Sequence, residues 1–258
     1  MSGPLRIAVL GLGEAGALIA ADLAAAGADL RAFDPAVKAP NGIEQRASEA
    51  DAVRDADLVI SLTTAEAAET ALRRSLPALR AGTLWADANT AAPSLKVALA
   101  EAAAGAEFTD VALMSPVPGK GLRTPMLASG PGAERFVAAL EPFGARIEAV
   151  PGPPGAANSR KLLRSVVYKG IAAAVVEALE GARAAGLEPW LRGHIAAEFA
   201  SFDADTLDRM VTGTYAHARR RAEEMDAATK QLLDLGLQPH IAPATRDALR
   251  SILHNDTQ

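Results

Sequence analysis

The apolar run Leu5–Leu10 stops at Gly11-Leu12-Gly13-Glu14-Ala15-Gly16, and an alanine-rich helical pattern follows to Ala26. A buried strand that turns on glycines straight into a helix leaves few folds open. The first glycine permits the tight turn, the second bares backbone to a ligand, and the third lets helix and strand pack closely. The helix N-terminus offers unpaired N–H groups and a partial positive charge, which suit a pyrophosphate. Gly11, Leu12, Gly13, Glu14, Ala15 and Gly16 are therefore expected to hold a dinucleotide. The next apolar run, Asp29–Phe33, ends at Asp34, about 20 residues beyond the turn, where a carboxylate accepts from ribose hydroxyls and repels a 2′-phosphate. That favours NAD, while Arg31 and Lys38 close by leave NADP possible.

The alternation continues. Leu58–Leu62, Thr83–Ala86 and Phe108–Leu113 read as further strands, with helices at Ala65–Leu79 and Pro93–Ala104 between them. A last strand–helix–strand unit is expected from Met126 through Ala133–Leu140 to Ile147–Val150. This is the pattern of an α/β Rossmann domain, a doubly wound parallel sheet. Pro151-Gly152-Pro153-Pro154-Gly155 is the strongest breaker in the chain, and the texture changes after it. Asn158–Ala185 reads as one long helix, and Pro189–Gln258 as shorter helices punctuated at Gly213, Gly236, Pro239 and Pro243. The expected organisation is a nucleotide-binding domain at 1–152, then an interdomain helix and a small all-α C-terminal domain at 153–258.

Composition narrows the function classes. Only 4% of the 258 residues are aromatic although 50% are hydrophobic, which favours close-packed helices over a β-sandwich. A net charge of −5 and a pI near 5.5 argue against nucleic acid as a partner. The basic run Arg219-Arg220-Arg221 is followed by Glu223 and Glu224 and reads as a solvated or dimer-facing helix surface. With no cysteine, disulfides and thiolate metal sites are excluded, and His194, His217, His240 and His254 are too scattered to suggest a metal. Met1-Ser2-Gly3-Pro4 enters the first strand with no leader, and no apolar run is long enough to span a bilayer. A cytoplasmic protein with no membrane partner is expected.

Three later segments carry a family resemblance. Ala56-Asp57-Leu58-Val59-Ile60-Ser61-Leu62-Thr63-Thr64, Asp87-Ala88-Asn89-Thr90-Ala91-Ala92-Pro93 and Gly155-Ala156-Ala157-Asn158-Ser159-Arg160-Lys161 resemble the β-hydroxyacid dehydrogenase superfamily. That superfamily includes 3-hydroxyisobutyrate and 6-phosphogluconate dehydrogenases. The resemblance implies that Thr63 and Thr64 line the dinucleotide, that Asn89 and Thr90 lie near the nicotinamide, and that Lys161 is the general acid/base. A lysine partly out of water and near other cations releases its proton in the working range. Glu177 and Gly186-Leu187-Glu188 also fall in register with the family's connecting helix.

Two stretches depart from the family. Where it carries Ser-Gly-Gly to hold a carboxylate, this chain has Met114-Ser115-Pro116; Ser115 can still donate, whereas Pro116 has no N–H. Where an amide follows the lysine by one turn, it has Arg164 and Ser165. On a helix Lys161, Arg164, Ser165 and Tyr168 share a face, so Arg164 can clamp an anionic group while Ser165 or Tyr168 holds the reacting oxygen. Tyr168 is an alternative proton donor to Lys161. The variant stretches Val111–Pro118 and Arg164–Gly170 resemble a branch of 6-phosphogluconate dehydrogenase-like proteins whose small C-terminal domain has no assigned function. The expected activity is NAD(P)-dependent oxidation or reduction of a small, anionic hydroxy or keto acid, in a homodimer formed through the helical C-terminal region. An imine reductase-like enzyme and a non-catalytic dinucleotide sensor or scaffold remain alternatives. His217 is a further candidate for the substrate pocket.

Overall fold

The computed structural model describes residues 5–103 and 105–255. The expected strand entry at Met1–Pro4 and the last residue of the helix read as Pro93–Ala104 lie outside them. The described chain forms two compact units, residues 1–164 and 165–258.

The first unit is built on an eight-stranded sheet in the order β3-β2-β1-β4-β5-β6-β7-β8. Its strands are β1 (Arg6–Leu10), β2 (Asp29–Phe33), β3 (Glu44–Gln45), β4 (Leu58–Ser61), β5 (Leu84–Asp87), β6 (Glu107–Leu113), β7 (Met126–Ser129) and β8 (Ile147–Ala149). The helices are α1 (Glu14–Ala25), α2 (Glu49–Val53), α3 (Ala65–Ser75), α4 (Pro93–Ala102) and α5 (Ala133–Leu140). Side chains alternate across the sheet and fill two cores. Ile7, Val9, Ile60 and Val111 pack toward α1 and α5, through Ile19, Leu23, Phe136 and Leu140. Ala8, Leu10, Val59, Trp85 and Phe108 pack on the other face, against Val53, Leu72 and Leu99 of α2, α3 and α4. Both faces are buried at the centre of the sheet, so β1 and β4 read as nearly continuous apolar runs with no polar alternation.

The sequence expectation holds for β1, β2, β4, β5 and β6, which run parallel. It needs correcting at β7, which pairs antiparallel with β6 before β8 resumes parallel pairing with β7. The 114–125 connection holds only a short 3₁₀ turn at Gly121–Arg123 and no crossover helix, so the chain returns along the neighbouring strand in the opposite sense. Periodicity carries no strand direction. Two elements escaped the sequence reading altogether: β3, two residues long, and the single-turn helix α2.

The helix α6 (Ala156–Ala184) is continuous from the first unit into the second. Gly186, at φ 73°, ends it. The second unit continues with α7 (Glu188–Ala200), α8 (Ala204–Ala216), α9 (Ala218–Asp234) and α10 (Ile241–Asn255). Gly213 does not punctuate this region as expected but lies inside α8, and the break falls at His217. Two residues noted for their register prove to be braces. Glu188 accepts from Arg183 and Arg192, each at 2.8 Å, and these bonds hold its carboxyl down at about 2. Glu177 accepts from the backbone N–H groups of Ile241 and Ala242 at 2.8 Å, and from that of His240, so it caps α10 from another helix. No described helix is long and apolar enough to cross a membrane.

Candidate active site at the carboxyl edge of the sheet

The chain reverses its winding between β1 and β4, and the crevice beyond the carboxyl ends of strands at such a switch is where open α/β sheets bind ligands. The glycine turn occupies this place, and its glycines differ in what a side chain would meet. Gly11 has φ 93°, and a Cβ there would lie 2.4 Å from the Leu62 carbonyl oxygen. A Cβ on Gly16 would lie 2.0 Å from the Gly11 carbonyl oxygen. A Cβ on Gly13 would meet nothing within 4 Å. Two glycines are thus required by protein packing, while the third faces open space at the N-terminus of α1. The turn fits a pyrophosphate. Leu12 contributes only backbone here, because its side chain is buried in the core.

Beside the turn is a cleft of about 320 Å³ lined by Gly11, Gly13, Asp34, Thr63, Thr64 and Arg74, among others. Asp34 accepts from the backbone N–H groups of Leu12 (2.7 Å), Ala36 (2.8 Å) and Val37 (2.9 Å). Burial alone would raise its carboxyl, but these three donors outweigh that and hold it below the usual carboxylate range. Thr64 caps α3 by accepting from Ala67 N, and Thr63 Oγ1 lies 3.4 Å from Asn89 Oδ1. Arg31, read with Lys38 as leaving NADP possible, is engaged beside β2. Its guanidinium donates to the Arg54 carbonyl at 2.8 Å and faces Glu44. A cation that lines the cleft is Arg74 of α3, paired with Glu49 at 3.3 Å. Sequence reading missed Arg74, although its spacing from Ala67, Thr70 and Ala71 puts all four on one helical face.

The loop after β5 carries Asn89 and Thr90. Asn89 is buried and donates to Asp87 Oδ2 (2.9 Å) and Ser61 Oγ (3.1 Å). Thr90 is exposed, and Lys161 Nζ donates to its hydroxyl at 2.6 Å. The structure therefore brings together two residues that were expected on the same site. The loop after β6 carries Ser115, which accepts from Lys120 Nζ at 2.9 Å. Lys120 was not singled out in the sequence. Its loop is fixed by Val117 and Leu122, both buried, and by Asp22 of α1, which accepts from Leu122 N at 2.8 Å. Adjacent parallel strands thus end in two lysine–hydroxyl pairs.

Beneath them lies a polar cluster with no exposure at all. Asp87 and Asp110 stand opposite each other in the register of β5 and β6, and Lys96 of α4 bridges them. Its ammonium donates to an Asp87 carboxylate oxygen and to the Asp87 carbonyl (2.9 Å), and lies 3.3 Å from Asp110. Burial pushes the Asp87 carboxyl up, against the pull of Lys96 and Asn89. Asp110 also accepts from Gly155 N and Asn158 N, each at 3.0 Å, and from the Asn158 side-chain amide. The signal that could have found this cluster is Lys96 itself, a lysine on the face of α4 that also carries buried Leu99 and Ala103.

Arg164 is the last residue of the first unit, and Ser165 and Tyr168 belong to the second. All lie on the continuous helix α6, three, four and seven residues beyond Lys161. Tyr168 is 60% exposed, which removes a core role for it within the second unit. His217, at the junction of α8 and α9, is exposed, and its carbonyl accepts from Arg221 N at 3.0 Å.

Residues 6–124 match the NAD binding domain of 6-phosphogluconate dehydrogenase, and residues 182–252 match a domain of unknown function, DUF1932. The chain is 27% identical over 202 residues to an uncharacterized 28.5 kDa protein of Methanothermus fervidus, covering 78% of each. A solved structure of a conserved protein of unknown function, described as similar to 3-hydroxyacid dehydrogenases, is 26% identical, with 96% of each chain covered and a TM-score of 0.63. An imine reductase from Streptomyces aurantiacus is 21% identical, covering 95% of this chain and 93% of its own, with a TM-score of 0.78. At that identity the likeness is one of fold. The first unit is an NAD(P)-binding domain.

Proposed function

We propose that this chain, which joins an NAD-binding domain of the 6-phosphogluconate dehydrogenase type to a DUF1932 domain, is an NAD(P)-dependent oxidoreductase acting on a small anionic hydroxy acid or its keto counterpart. The observation that carries this reading is the Lys161–Thr90 hydrogen bond, on the loop that follows β5 at the same sheet edge as the dinucleotide cleft. When bound, nicotinamide supplies the hydride acceptor or donor. Lys161, as the neutral amine, takes the proton of the substrate hydroxyl while the C–H electron pair leaves as hydride, and a carbonyl is formed. In the reverse direction the ammonium returns that proton to the oxygen. The Thr90 hydroxyl holds Nζ in place for either step, which favours Lys161 over Tyr168 as the proton carrier.

Ser115 and Lys120 hold the substrate's anionic group, and Arg164 supplies a second cation on α6. Gly11, Gly13 and the N-terminus of α1 hold the pyrophosphate, and Asp34 the adenosine ribose. Asp34 also supports NAD over NADP, since its carboxylate would meet a 2′-phosphate. Leu163, Val166, Val167 and Ile171 form an exposed apolar stripe on α6, which supports a homodimer. The proposal places this homodimer in the cytoplasm.

Imine reduction is the second reading, favoured by the fold likeness to an imine reductase. An iminium is a cation, however, and the Lys120 ammonium would repel it. The test is a turnover screen of 2- and 3-hydroxy acids and cyclic imines with both cofactors, following reduced nicotinamide. Turnover of imines alone would overturn the hydroxy-acid reading. Dinucleotide binding with no turnover of either class would leave a sensor.

A further inference from the structure

The buried Asp87–Lys96–Asp110 cluster takes no part in the chemistry above, yet apart from one bond to Ser129 of β7 its outward bonds run to the β5 loop that carries Thr90 and to the start of α6, which carries Lys161. Taken outward from Lys96, one arm is Asp87, which receives Asn89 one residue before Thr90. The other arm is Asp110, whose remaining acceptor positions face the first turn of α6. That turn has unpaired N–H groups, as every helix start does, and they are met by side chains from the sheet. Asp110 takes Gly155 N and Asn158 N, and Ser129 Oγ accepts from Ala157 N at 2.9 Å. Ser129 in turn donates to Asp110 at 3.3 Å.

Asn158 joins the two arms. Its amide donates to Asp110 and to the Val111 carbonyl (3.2 Å), and its Oδ1 accepts from Ala91 N at 3.4 Å. Ala91 is the residue after Thr90, and Asn158 lies three residues, one helical turn, before Lys161. The side chain therefore fixes the β5 loop and α6 to each other just below the Lys161–Thr90 contact. Gly155 closes the same corner, since a Cβ there would lie 2.9 Å from the backbone of Pro93 at the start of α4.

We propose that Lys96, Asp110 and Asn158 are positioning residues that set Lys161 against Thr90, with Asn158 as the link between the cluster and the lysine. Two buried carboxylates opposite each other would repel, and the single ammonium between them is what allows Asp110 to stand as the acceptor that anchors α6. The whole device lies within the first unit. It rests on the reading of Lys161 as the acid/base, but it is tested without turnover.

The experiment uses the full-length protein with its lysines reductively methylated with ¹³C, and Lys161→Arg to assign the Lys161 signal. Wild type should show Lys161 apart from the envelope of exposed lysines. Asn158→Ala keeps the backbone N–H bond to Asp110, and in it the Lys161 signal should move into that envelope while NADH binding stays within about threefold. Asn158→Gln, which retains an amide, should restore part of the displacement. Should Asn158→Ala not fold, Ser129→Ala removes the acceptor of Ala157 N and the hydroxyl bond to Asp110, and should give a smaller shift in the same direction. A Lys161 signal unmoved in folded Asn158→Ala, or unmoved in Ser129→Ala where Asn158→Ala does not fold, overturns the proposal and leaves the proposed reaction untouched. Full turnover in Lys161→Ala would remove the proposed reaction and leave this coupling standing.

Discussion

Lys161 donates a 2.6 Å hydrogen bond to the hydroxyl of Thr90, a residue 71 positions earlier in the chain. The two side chains come from different elements, the first turns of α6 and the loop after β5, and both stand at the carboxyl edge of the sheet. If Lys161 carries the proton, Lys161→Ala should lower kcat/KM by about 10²–10⁴-fold, the range for loss of a general acid/base. NADH affinity, read by its fluorescence, should stay close to wild type. Thr90→Val should reduce turnover less, since it removes only the group that holds Nζ.

The glycine turn separates folding from binding. Gly16→Ala places a Cβ against the Gly11 carbonyl, so it should lower the melting temperature and weaken dinucleotide binding together. Gly13→Ala meets nothing in the protein. It should melt as wild type does and bind NADH at least about tenfold more weakly, a loss of about 1.4 kcal/mol. A normal NADH affinity in Gly13→Ala would remove the pyrophosphate from this turn.

Two carboxylates make stability depend on acid. Burial alone would raise Asp34 and Glu177, but Asp34 is held down by the N–H groups of Leu12, Ala36 and Val37, and Glu177 by those of Ile241, His240 and Ala242. Their ordinary values are 3.8 and 4.5. A folded-state value below the unfolded one stabilises the fold fully above the unfolded value, and the stabilisation is lost as pH falls through the folded one. Circular dichroism should therefore show stability falling below about pH 4. Glu177→Gln keeps one acceptor oxygen but loses the second and the charge, so it should weaken the cap on α10, costing about 1 kcal/mol at neutral pH, and should flatten that acid dependence.

Lys120 tests the substrate class. Lys120→Met should raise KM for a hydroxy acid about tenfold and change KM for a neutral alcohol little, with Lys120→Arg in between. Equal KM values in wild type and Lys120→Met would take the anion away from this loop.

The apolar stripe on α6 tests assembly. Val166 is 72% exposed, and Val166→Asp should shift the protein from dimer to monomer in sedimentation velocity. A monomeric wild type at the same concentration would remove the dimer.

Local pattern was enough for most of this fold. The glycine turn, the apolar runs of β1, β2, β4, β5 and β6, and the breaker before α6 each express a backbone requirement within a few residues. Those requirements do not depend on what packs nearby. The family resemblance then brought Thr90 and Lys161 to one site, and the structure joins them. The direction of β7 was not legible, because alternation and apolar runs are the same for parallel and antiparallel neighbours. The place of Arg31 was not legible either, since Glu44 and the Arg54 carbonyl reach it only once β3 and the loop after α2 are formed.

The opening Gly11–Gly16 turn thus determined by itself that a strand, a tight reversal and a helix N-terminus come together to meet a dinucleotide. Tertiary structure added the Leu62 carbonyl that excludes a side chain at Gly11. It alone decided that Lys96 sits between Asp87 and Asp110, and that Asn158 ties α6 to the loop of Thr90. Asp110 and Asn158 reach these partners only through sheet register and burial. A charge can be kept out of water only where folding has already gathered its partners.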